Sequence, residues 1–178
     1  TGQEIAEHTP TLLKNWQDFA ANVGRSGQDG ALYAKPAQAL EEVVNLTLAG
    51  VNEMHKELSR LQQQKPELVT AQRSGDGKAL VKAQFTLLQA LLTGPDGQSG
   101  IAALLAAKGQ PAQAKALADA TRAVAPALDK LPDNLARVGN SGREKPAVQA
   151  LEKLLAQIEG PLAHTLDITL SFNESDGD

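Results

Sequence analysis

Three histidines and the carboxylates near them are the places where this chain could do chemistry. Glu4 and His8 stand one helical turn apart and can share a face, with Glu7 beside them. That set supports an ion pair, and a mononuclear metal needs three or four ligands. His55 lies between Glu53 and Glu57, two residues from each. Two residues turn a helix by about 200°, so neither carboxylate shares the imidazole's side, and an exposed helix face accounts for the group. His164 is the third histidine, and none of the three is followed by Glu at the third position. The zinc-protease pattern His-Glu-x-x-His is absent, and so is the Gly-x-Ser-x-Gly elbow of a serine hydrolase. Asn173, Ser175, Asp176 and Asp178 supply oxygens but lack the spacing and closing Glu of a calcium loop. No catalytic residue and no metal ligand is assigned.

The remaining candidate is an anion site. Arg73 and Ser74 lie in a Gly-bearing stretch, Gln72-Arg73-Ser74-Gly75-Asp76-Gly77-Lys78. A guanidinium beside free backbone N–H groups suits a carboxylate or phosphate. An ordinary surface loop has the same composition. Arg73 and Ser74 are the binding residues the sequence favours.

These groups must be positioned by helices. The 178 residues are 42% hydrophobic, mainly Ala, Leu and Val, with one Trp, one Tyr and three Phe. Ala and Leu favour helix, and the scarcity of aromatics argues against a large sheet. Thr9-Pro10 reads as a helix start, with Leu12, Leu13, Trp16, Phe19 and Val23 at helical spacing up to Gly24. Pro36 opens a second helix. Leu40, Val43, Val44, Leu48, Val51, Met54, Leu58 and Leu61 form its stripe, ~33 Å long at 1.5 Å per residue. Glu41, Glu42, Asn45, Asn52, Lys56, Glu57 and Arg60 form its solvated side, and Leu46 lies apart. Pro66 closes this helix. Further helices are expected over 79–93, 101–107, 111–130 and 146–158. Pro126 should kink one, and Gly160-Pro161 should break the last before a short continuation to Asp167. Arg137 to Lys145 reads as a loop, and Ile168 to Phe172 as an extended tail. The expectation is one all-α domain over 1–178, an up-and-down helical bundle of about four long helices plus short ones, ending in that tail.

Composition excludes several functions. The net charge is −4 and the 17 basic residues are scattered, so no footprint for nucleic acid is present. No apolar run reaches the length of a membrane span. Without cysteine there is no disulfide, thiolate metal site or thiol nucleophile.

The last residues, Phe172-Asn173-Glu174-Ser175-Asp176-Gly177-Asp178, follow a leucine-rich helix. This ending resembles the C-terminus of the imelysin-like bacterial proteins, Phe-Asn-x-x-Asp-Gly-Asp. The Leu12-to-Phe19 segment with Trp16 resembles the helix that opens the C-terminal half of that family. The run from Ala39 through Met54 resembles the long helix after it. Gln72-Arg73-Ser74-Gly75 resembles a Trp-Arg-Ser-Gly stretch, with Gln72 where Trp is expected, and Ala83 to Gly94 resembles a Leu-rich helix ending in Thr-Gly. The resemblance implies a two-half helical protein, exported to the periplasm or anchored at the outer membrane by lipid, connected with iron acquisition and also classed as a metallopeptidase. The family's metal motif, Gly-x-His-x-x-Glu, is absent here. The chain is therefore expected to be a C-terminal half that begins abruptly at Thr1, non-catalytic alone, and to have the N-terminal half of the same protein as its partner. Iron or another divalent metal would bind only with that half. The alternatives are half of a metallopeptidase, whose activity needs the other half, and a structural or interaction bundle.

Overall fold

The computed structural model describes residues 2–63, 75–135 and 141–171, with side chains from residue 10 onward except Leu12. The protein is all-α, with no strand among the described residues. Among the described residues seven α-helices run α1 (Gly2–Gly24), α2 (Pro36–Gln62), α3 (Gly77–Thr93), α4 (Gly100–Ala107), α5 (Pro111–Asp129), α6 (Lys145–Gln157) and α7 (Ala163–Leu166). A π turn, Ile158–Leu162, joins the last two. The chain divides into two compact units, Thr1–Val44 and Asn45–Asp178, with the boundary inside α2.

In the first unit α1 starts earlier than Thr9-Pro10 predicts. Pro10 lies inside the helix. A proline there removes one i→i−4 bond and costs about 3 kcal/mol locally, yet Glu4, Ala6 and Glu7 before it are compatible with helix. The proline signal marked a position the helix passes through. After Gly24, the Gly27 N–H bonds the Tyr33 carbonyl at 2.9 Å and closes the loop that leads to α2. Gly27 has φ +80°, and a Cβ there would stand 3.0 Å from Pro36 Cδ. The start of α2 is as expected. Gln38 Oε1 accepts from the Lys35 backbone N–H at 3.1 Å, the reaching-back half of a capping box.

In the second unit the predicted α2 stripe is buried: Leu48, Val51, Met54, Leu58 and Leu61 are all in the core. Gly50 permits close approach to α3, since a Cβ there would meet Leu88 Cδ2 at 2.8 Å. α5 packs against α3, α4 and α6. Leu117, Val124 and Leu128 of α5 meet a core completed by Phe85, Leu92, Leu105, Leu151, Leu154 and Ile158. Thr121 is buried on α5, and its hydroxyl is satisfied by the Leu117 carbonyl at 2.8 Å. α5 runs through Pro126 to Asp129.

At Gly160-Pro161 the predicted interruption takes the form of a π turn, with α6 ending at Gln157 and α7 starting at Ala163. Both residues sit inside the π turn. A π turn widens the hydrogen-bond ring by one residue, which accommodates a proline that cannot donate and clashes with the preceding turn. Helix therefore continues to Leu166. It ends at Asp167, in the left-handed region at φ +54°. The Ile168 N–H bonds the Ala163 carbonyl at 3.0 Å, and the Asp167 N–H bonds that of His164 at 3.4 Å. This is a Schellman ending with Asp where Gly is usual.

Candidate functional site

Arg73 and Ser74, the favoured binding pair, lie outside the described residues, as do the acidic end 172–178 and the side chains of Glu4, Glu7 and His8. The structure does describe the ground next to Arg73 and Ser74 in the chain. A cleft of about 270 Å³ opens at the start of α3, lined by Gly75, Asp76, Lys78, Ala79, Lys82 and Asp133. Gly75 has φ +81°, which lets the chain turn into α3.

Two lysines one turn apart face the end of α5. Lys78 Nζ donates to the Asp129 carbonyl at 3.0 Å and stands 3.4 Å from Asp133 Oδ1. Lys82 Nζ meets Asp129 Oδ1 at 2.5 Å. The Asp129 carboxyl is held below its ordinary pKa, first by the hydrogen bond from Lys82, then by that lysine's charge, with Lys78 adding to it. Lys78 also satisfies a carbonyl at the helix C-terminus, where the dipole favours a cation. Both lysines thus have work inside the fold. With Asp129 and Asp133 against them and Asp76 in the same lining, an incoming anion would compete with carboxylates already in place. The described part of this region is an α3–α5 electrostatic joint.

His55 departs from the exposed face its spacing predicts. It is half-buried and reaches α6, with Nε2 3.4 Å from Glu152 Oε1 and 3.5 Å from Ser59 Oγ. A Ser-His-Glu relay needs the carboxylate and the hydroxyl on opposite ring nitrogens. Here both approach Nε2, so the group ties α2 to α6 and does not form that relay. Glu57, assigned to the solvated side, is buried. Among the described residues no three His, Asp or Glu side chains gather closely enough to hold a metal. His164 is exposed.

Two features escaped sequence reasoning. Glu144 is only 3% exposed at the start of α6, and its Oε2 has no hydrogen-bond partner. An anion there would meet the carboxylate, and a cation would meet the positive end of the helix. Neither charge gains a site. The second is Asn45, whose amide bonds the extended segment 168–171. Polar residues on a helix read as solvated unless the segment they bind, 124 residues later, is known.

Apolar side chains also reach the surface. Leu13 and Trp16 of α1 are each 57% exposed, and the Trp16 ring meets Phe19 edge-on with centroids 5.9 Å apart. On α3, Leu87 and Leu91 are exposed one turn apart. No helix among the described residues is long and apolar enough to cross a membrane. No family model, curated protein or solved structure matches the chain.

Proposed function

We propose that this chain is a non-catalytic helical binding module, corresponding to the C-terminal half of an imelysin-like exported protein linked to iron acquisition. Its place is then the periplasm or the outer-membrane surface, and its partner is the N-terminal half. The supporting observation is the apolar side of α1. Leu13 and Trp16 are large, exposed and one turn apart on the helix that, by resemblance, opens this half. A stripe of that kind suits docking against a second helical unit. On this reading a metal would be ligated by other residues or by that partner, since no three described carboxylates or imidazoles gather closely enough to hold one.

The test is an iron titration of this chain, alone and mixed with a polypeptide carrying the Gly-x-His-x-x-Glu motif. Tight binding is expected only in the mixture. Trp16→Asp should separate the two polypeptides. Tight iron binding by this chain alone would overturn the reading. Chelator-sensitive proteolysis by the mixture would favour the metallopeptidase half over the binding module.

A further inference from the structure

Asn45 on α2 treats a distant piece of backbone as a neighbouring strand would. Its Nδ2 donates to the Thr169 carbonyl at 3.0 Å, and its Oδ1 accepts from the Ser171 N–H at 2.9 Å. In an extended chain the C=O of one residue and the N–H two residues on point to the same side. One side-chain amide therefore spans them, as one residue of a parallel ladder does. The bonds read backbone only. Side chains add the pattern: Ile168 and Leu170 are half-buried, while Thr169 and Ser171 are exposed. The Schellman turn at Asp167 delivers the segment to this place.

We propose that the Asn45 region of α2 is a docking site for an extended peptide, occupied in this chain by its own residues 168–171. The partner it fits is a segment of another polypeptide with uncharged aliphatic residues two apart and small polar residues between them. Main-chain bonds supply register, and the aliphatic pair supplies selectivity, as in other sites that add an extended strand. The chain's own segment sits at high effective concentration, so a competitor must displace it or find it released. The inference does not depend on the proposed iron-linked role.

The test uses the full chain and a fluorescein-tagged peptide, Leu-Asp-Ile-Thr-Leu-Ser-Phe. The double variant Ile168→Asp/Leu170→Asp releases the internal occupant. It should bind the peptide at least roughly ten-fold more tightly than the unmodified chain. Adding Asn45→Ala should abolish that binding. Equal affinity of the unmodified chain and the double variant, or binding that survives Asn45→Ala, would overturn the proposal. Ala at a helix position keeps the fold, and unchanged helical circular dichroism confirms it. Amide exchange at Ser171 gives a second reading: Asn45→Ala should accelerate it, and an unchanged rate sinks the clamp. A concentration-dependent dimer of the unmodified chain, dissolved by Asn45→Ala, would make a second copy the occupant and overturn a separate partner.

Discussion

α1 and α5 are both amphipathic helices with apolar residues at steps of three and four, yet they meet opposite fates. α5 lies among three other helices, with Leu117, Val124 and Leu128 almost wholly enclosed. α1 leaves Leu13 and Trp16 more than half exposed. Periodicity states that a helix has an apolar side; it does not state what covers that side. The same pattern yields a core in one region and a candidate contact surface in the other. Mutations should therefore act on different observables: stability for α5, association for α1.

Truncation tests that difference most strongly. Leu128→Ala should cost about 2–5 kcal/mol of unfolding free energy, because it removes a buried side chain and leaves a cavity. Leu13→Ala should change stability by no more than about 0.5 kcal/mol. Denaturant titration measures both. A Leu13→Ala loss as large as that of Leu128→Ala would mean that α1's apolar side is already covered, and the contrast would collapse.

The corner between α3 and α4 should be the next most sensitive. Gly100 has φ +74°, and a Cβ there would stand 2.6 Å from the Leu91 carbonyl oxygen and 2.8 Å from the Gly94 nitrogen. Both are backbone atoms with no room to rotate away. Gly100→Ala should cost about 1–3 kcal/mol from the left-handed conformation alone, before the clash is added. A glycine in α1's loop, Gly30, also has positive φ but nothing within 4 Å. Gly30→Ala should cost less, and thermal melts of the two variants rank them.

Glu144 offers a change of opposite sign. Its carboxylate is buried with one oxygen unpartnered, a desolvation cost without full return. Glu144→Met should raise stability by about 1 kcal/mol, seen as a higher denaturation midpoint. Loss of stability would show that attraction to the α6 N-terminus outweighs desolvation.

Much of the framework was legible in the residues. Pro36 and the stripe through Leu61 located α2, and the helices expected over 79–93 and 111–130 coincide closely with α3 and α5. Local signals succeeded there because capping and proline act within a turn. They failed at Pro10, where helix persists through a local breaker, and at Gly160-Pro161 the breaker gives a π turn between two α-helices and not an end to helical backbone. The side-chain roles were less legible. His55, Asn45 and Lys78 each find a partner far along the chain: Glu152, Thr169 and Ser171, and Asp129. Sequence spacing covers one or two turns, so it assigned His55 and Asn45 to solvent and did not single out Lys78. Arg73 and Ser74, the favoured binding pair, lie outside the described residues.

Acid titration sharpens the comparison at its smallest scale. Asp129 is lowered by Lys82 and then Lys78, which join α5 to α3. Asp119 is lowered first by its hydrogen bond with Lys115, then by Arg122, all on the exposed side of α5. Asp96 is lowered by the Gln98 N–H and the Ser99 hydroxyl in the α3–α4 turn. A carboxylate whose pKa is depressed in the folded state adds stability above its unfolded pKa, about 3.9. That contribution is lost as pH falls through the lower folded value. Stability should therefore be flat from neutral pH to about 5 with respect to these groups and decline below about 4. Asp129→Asn should shallow that decline because it removes the inter-helix pair, whereas Asp119→Asn removes only pairs within one helix and should alter it less. Urea midpoints measured from pH 6 down to pH 3 decide the matter. An equal effect of both substitutions would mean that the α3–α5 joint contributes no more than an exposed pair on a single helix.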